Sequence, residues 1–316
     1  MKKFGLLWIS TILFFVGIVI FSFIITEQLN EYREKKEEIA MALNFEKRLM
    51  SAWEWIPGNT IGEEKVELWQ RLEIEASSEY KDAILFSVLL VAAMMLYVFI
   101  NTLYYRNKEQ NYRVFGLVTI FCSMSLLFLA LQAPFLELMA YNKDLAFEVP
   151  VHVDFDEMDY IGGLGLGKID YEYEQVFDGR TYYLYQNKSV TELIKMLYSG
   201  GNYLIAIILV LVSMVFPLLK FITSIIVLIA PHKPSSVRIY KVIRNLAKWS
   251  MLDVFTSAIF IAYFSYSNMN VGVDTGAETL IGLYYFIGFV VLSINSGQYL
   301  KKAMYKAQKL GKWALD

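Results

Sequence analysis

Cysteine and histidine are almost missing from this chain. The single cysteine, Cys122, excludes an intrachain disulfide and any zinc site built on paired cysteines. The two histidines, His152 and His232, lie far apart, and neither has a second histidine or cysteine placed to complete a metal site. Neither sits beside a nucleophile in a triad-like arrangement, so the sequence predicts no cofactor and no enzymatic activity. An excess of one charge is absent as well. A formal net charge of -2 gives no electrostatic footprint for nucleic acid.

Apolar residues fill that space. At 56% hydrophobic and 16% aromatic, the composition is not that of a soluble globular domain. Six apolar runs are long enough to cross a hydrocarbon core about 30 Å thick: residues 4–25, 83–105, 114–132, 203–230, 250–267 and 279–299. The first follows Met1-Lys2-Lys3 and is too long for a signal-peptide core, which predicts an uncleaved anchor. The fourth contains Pro217 and is expected to tilt or kink.

Basic residues cluster in alternate connections. Arg106, Lys108 and Arg113 separate the second and third runs, and Lys233, Arg238, Lys241, Arg244 and Lys248 form a basic loop between the fourth and fifth. Lys301, Lys302, Lys306, Lys309 and Lys312 follow the sixth. The other connections are acidic, including a short turn with Asp274 and Glu278. The positive-inside rule then predicts both termini in the cytoplasm.

The segment 27–82 reads as a helical hairpin. Leu29, Tyr32, Ile39, Leu43, Met50 and Trp53 recur at helical spacing, Pro57-Gly58-Asn59 signals a turn, and Val66, Trp69, Leu72 and Ala76 form a second stripe. Arms of that length would project roughly 35–45 Å. They serve either as a docking arm or as a self-packed cap on the bundle. The segment 134–199 changes period. Residues 147–155 and 169–174 alternate as strands do, Pro150 suits an edge strand, and Asp178-Gly179 before Thr181 suggests a hairpin. Ser189 and Glu192 form a capping box opening a short amphipathic helix with Val190, Leu193, Ile194 and Leu197 on one face, ended by Gly200-Gly201. The glycine-rich run from Gly162 to Lys168 lacks the hydroxyl residue and helix start of a phosphate loop, and reads as a connector between strands.

The residues with most chemical interest are ionisable groups inside apolar runs. Lys220 lies in the fourth run and Asp253 near the start of the fifth, at similar depth, so an antiparallel pairing is possible. Ser213, Pro217, Lys220 and Ser224 fall at spacings of three and four, and Ser250 shares a helix face with Asp253. Pro217 cannot donate to the Ser213 carbonyl, and Ser293 on the sixth run is a further candidate for the patch. The cluster is either a structural ion pair or a polar cavity for a polar or amphipathic ligand.

At these residues the chain resembles the paraquat-inducible protein A family, which includes the LetA proteins. The matching pieces run from Tyr183 to Ser189, Gly201 to Leu204, Phe216 to Lys220 and Lys248 to Phe255, within about residues 114–299. The six apolar runs predict an all-α polytopic membrane protein with six transmembrane helices, and the resemblance implies the arrangement of the last four. Residues 113–300 would be a tetraspanin-like four-helix module with a β-containing periplasmic loop (134–199). Residues 1–112, which the resemblance does not cover, are expected to add two transmembrane helices with the periplasmic hairpin (27–82), and residues 301–316 a basic cytoplasmic tail. Many relatives carry two modules and zinc ribbons with paired cysteines, whereas this sequence has one module and no such pairs. The resemblance further implies an inner-membrane component of a Gram-negative-type envelope. It would pass phospholipid or a similar amphiphile to or from a periplasmic MCE-domain tunnel, with Ser213, Pro217, Lys220, Ser250, Asp253 and Ser293 lining the cleft. A scaffold or regulator of an envelope complex and a proton-coupled transporter using Asp253 are the alternatives.

Overall fold

A computed structural model describes residues 2–55, 61–105, 111–154, 168–229, 234–249 and 273–307. The predicted run 250–267, the Pro57-Gly58-Asn59 turn and the glycine-rich run from Gly162 to Gly167 lie outside the described residues. Helix α1 (Lys2–Ala42) runs unbroken through the first apolar run and into the hairpin, since residues 18–42 contain no glycine or proline. A short helix α2 (Phe45–Leu49) is capped by the Asn44 side chain, which accepts from the Glu46 and Lys47 N–H groups. A 3₁₀ turn (Ala52–Trp55) precedes α3 (Ile61–Tyr105), followed by α4 (Asn111–Gln132).

Among the described residues, five helices are long and apolar enough to cross a bilayer: Ile9–Ala42, Glu64–Tyr105, Asn111–Gln132, Tyr203–Ile229 and Ile281–Lys306. Helix α4 is the hub, with 72% of its apolar window buried against 22–33% for the others. It packs on α1, α3, the helix at Phe216–Ile229 (α7) and the last helix, α9 (Ile281–Ala307). Close approach to α7 and α9 rests on two glycines. A Cβ on Gly116 would meet Leu228 at 3.0 Å, and one on Gly288 would meet Leu126 at 2.9 Å.

Beyond the apolar runs 4–25 and 83–105, α1 and α3 stay together. Leu29, Tyr32, Ile39 and Leu43 are buried along the predicted stripe, facing Leu72 and Ala76, while Lys36 pairs with Glu73 at 2.7 Å and Lys35 with Glu79 at 3.3 Å. Met50 departs from the stripe and is exposed, because α1 ends at Ala42 and the register is lost. From residue 26 to that end the helix rises only about 25 Å, less than the expected projection. The hairpin is also not a free arm, since it packs on the sheet through Met139, Tyr141, Tyr182 and Tyr185. Arg48, fully buried, fastens its elbow: Nε donates to Glu54 at 3.0 Å and Nη1 to Thr181 at 3.0 Å.

The sheet is antiparallel, in the order β2-β1-β3. Strand β1 (Pro134–Asp154) starts two residues after α4, far earlier than the alternating pattern indicates, and pairs along its length with β2 (Lys168–Ser189). Asp178-Gly179 is not a hairpin turn. It is a bulge in β2 opposite Asp144, with Gly179 at φ +80° and its N–H donating to the Asp144 carboxylate at 2.9 Å. Pro150 lies on β1 beyond the reach of β3, which pairs only with residues 136–141, so the proline does have an edge position. The segment with Asp274 and Glu278 is likewise not a turn but strand β3 (Asp274–Thr279).

Helix α5 (Val190–Ser199) carries both hydrogen bonds of the Ser189–Glu192 capping box and ends at Gly200. The fourth predicted run is helix α6 (Tyr203–Val210), a π-turn (Leu211–Val215) and α7. Helix α8 (Pro234–Trp249) occupies what the sequence reading treats as a basic loop, with proline at its first position where no N–H is needed.

Candidate functional site

The π-turn and Pro217 shape the segment that carries Lys220. The Phe216 N–H reaches back to Leu211, one residue further than in an α-helix, so the chain accommodates the proline within a continuous helix. Ser213 spends its hydroxyl on the Leu209 carbonyl at 2.6 Å and is not among the residues lining the polar cavity one turn on.

That cavity lies where α4, α7 and α9 meet. Each helix offers one stripe: Ile120, Ser123 and Met124 from α4; Pro217, Lys220, Phe221 and Ser224 from α7; Phe289, Ser293 and Ser296 from α9. The Lys220 ammonium donates to the Ser293 hydroxyl at 2.6 Å and approaches the Ser293 carbonyl at 3.4 Å. Ser296 donates to that same carbonyl at 2.7 Å, and Ser123 to the Ile120 carbonyl at 2.8 Å. An ammonium at membrane depth costs about 2.5–3.5 kcal/mol, and charge-assisted hydrogen bonds of this kind offset much of it. The free space is about 20 Å³, room for roughly one water molecule.

Of the residues expected at the site, the structure joins Pro217, Lys220 and Ser293. Ser213 is one turn before Pro217 and not part of the cavity lining, and Ser250 and Asp253 lie outside the described residues. Ser123 and Ser296 line the cavity without having been singled out. Ser296 was detectable, three residues after Ser293 and hence on the same helix face. Ser123 sits in an unbroken apolar run with no pattern to distinguish it.

A second polar region lies at the sheet end. Tyr32 donates to Glu137, a fully buried carboxylate in β1 that faces Asn187 across the β1–β2 ladder. Lys36 stands 3.8 Å from the other Glu137 oxygen. Burial, then the Glu137 charge, push the Tyr185 phenol well above its ordinary range, and burial does the same to Tyr182 against the lowering effect of Arg180. Among the described residues no group of three His, Cys, Asp or Glu is placed to hold a metal ion.

Five span-capable helices among the described residues, with a small antiparallel sheet at one end, define a polytopic helical membrane protein. Within it, the cation and hydroxyls of α7 and α9 form a buried polar site in an apolar bundle. The family model for paraquat-inducible protein A matches residues 178–307, from the β2 bulge through α9, a segment that includes Lys220 and Ser293. The hairpin, α4 and β1 lie outside the matched residues. Neither the curated proteins nor the solved structures yielded a match.

Proposed function

We propose that this protein is a non-enzymatic inner-membrane component of an intermembrane lipid transport system. It passes phospholipid or a similar amphiphile to or from a periplasmic MCE-domain partner. In this reading the run 250–267 is a sixth span, α4, α7, that run and α9 form a tetraspanin-like module, the sheet end is periplasmic and both termini are cytoplasmic. The observation that carries it is Lys220, an ammonium held among serine hydroxyls inside a bilayer-length helix of the family-matched segment. A cation there suits a phosphate headgroup, while acyl chains lie along the exposed apolar faces of α6, α7 and α9. With space for one water, the cavity admits a headgroup only when α7 and α9 part, so the structure is read as a closed state. Asp253, close in sequence register to the same depth, would orient Lys220 or take a proton.

Lys220→Ala, expressed in a deletion strain, is expected to reach the membrane at normal level and fail to restore envelope-barrier function. Full restoration would remove Lys220 from the transport path. The closed cavity also suits a scaffold, in which Lys220 locks α7 to α9. That reading predicts loss of the partner complex in the same variant, whereas the transport reading predicts an intact complex that moves no lipid.

A further inference from the structure

A groove of about 390 Å³ opens at the sheet end, where α1 gives way to α2 and β2 passes alongside. Glu37, Ala40 and Met41 share one face of the last turns of α1 and form one wall. Tyr182, Leu184 and Tyr185 of β2 form the other. Lys47 and Lys188 complete the lining, and Lys188 pairs with Glu37 at 3.2 Å. Two lysines against one glutamate leave one net positive charge, and among the described residues exposed Lys47 has no ion-pair partner.

We propose that this groove is a binding site for a single-chain amphiphile with an anionic head, such as a long-chain carboxylate. The head lies between Lys47 and Lys188, and the chain runs over Ala40, Met41 and Leu184, alongside the packed rings of Tyr182 and Tyr185. The volume falls near the lower end of small-ligand pockets, about 300–1,000 Å³, which suits one acyl chain better than two. Methionine and tyrosine walls adapt to an alkyl chain while offering polar edges to its head. An extended peptide is the obvious rival, because β2 is an edge strand. The chain itself occupies that edge: the Tyr182 N–H donates to the Leu43 carbonyl at 2.8 Å, and Asn44 bridges to Tyr182. A peptide adding along β2 would have to displace this contact, whereas an amphiphile need not. The groove uses the α1 arm, which lies outside the family-matched segment, and is separate from the Lys220 cavity.

The test uses the full chain in phosphatidylcholine nanodiscs with a diazirine-bearing dodecanoate, and maps the label by peptide mass spectrometry. Label is expected within residues 37–47 and 182–188, competed by unlabelled dodecanoate and reduced about fivefold or more in Lys47→Glu, a change at an exposed side chain. Ala40→Trp, which fills the groove without altering charge, is expected to abolish it. Equal labelling of Lys47→Glu and the unaltered chain overturns the proposal. So does equal labelling by the matching dodecylamine probe, which would show apolar partition alone. Displacement by an acidic peptide but not by dodecanoate overturns it in favour of a peptide site. Should Ala40→Trp fail to fold, Lys47→Glu decides the matter. The two sites fail separately, since groove labelling reads this one and barrier complementation of Lys220→Ala reads the other.

Discussion

Lys220 lies nine residues before the end of α7, about 14 Å along the helix, and donates to the hydroxyl of Ser293 in α9 at 2.6 Å. Removing the Ser293 hydroxyl while keeping the charge takes one charge-assisted hydrogen bond from a part-buried ammonium. Ser293→Ala is therefore expected to lower stability by about 1.5–3 kcal/mol in thermal unfolding of the detergent-solubilised protein. Lys220→Met, of similar length and uncharged, is expected to be neutral or stabilising, because it removes the desolvation cost along with the bond. The double variant should then lose little beyond Lys220→Met alone, and additive losses would show that the two side chains are not coupled. At the sheet end, Tyr182 and Tyr185 bind their protons more tightly folded than unfolded. The unfolded chain releases them above about pH 10 and the folded chain does not, so stability is retained below that pH and falls as pH rises beyond it. Tyr185→Phe is expected to flatten the alkaline slope of the unfolding free energy, and an unchanged slope would contradict the burial argument.

Elements are joined here by close backbone approach as much as by side chains. A Cβ on Gly282 would stand 2.5 Å from the Pro134 carbonyl oxygen, where α9 begins against the start of β1. Gly282→Ala should cost on the order of 1–3 kcal/mol in thermal unfolding, because backbone rather than a flexible side chain must move. Gly17→Ala, with nothing within 4 Å of its Cβ, is the matched control and should be neutral or better. The helices and the α5 capping box were legible in the sequence, since long apolar runs and a local cap need no tertiary information. The sheet was legible only in part. Strand β3 is Asp-Thr-Gly-Ala-Glu-Thr, residues mostly poor in strand preference, and forms because β1 presents a partner edge. The first third of β1 continues the apolar character of α4 and offers no alternation to mark the change. The Asp178-Gly179 pair carries a turn signal, but a positive-φ glycine serves a bulge equally well, and only pairing with β1 decides between them. Helix α8 was hidden by its basic residues, though Pro234 and Ser235 mark a plausible helix start.

Across the whole molecule, apolar side chains point outward from α1, α3, α6, α7 and α9, as expected of helices whose solvent is lipid, while polar groups gather at the Lys220 cavity and the sheet end. The Lys220 position was legible because one lysine in an apolar run is costly enough to stand out. Ser293 could be named as a candidate for the same patch, but its contact with Lys220 could not, since nothing in the sequence sets the rotation of α9 against α7. Phe289 lines the same cavity one helical turn from Ser293. The central claim is that this cavity receives an amphiphile's headgroup. Replacing Phe289 with benzoylphenylalanine, irradiating native membranes and identifying lipid adducts by mass spectrometry tests it directly. The account predicts a phospholipid adduct whose yield falls about tenfold when Lys220→Met is added, the loss expected from one charge-assisted bond. A yield unchanged by Lys220→Met, or no lipid adduct at all, would contradict it.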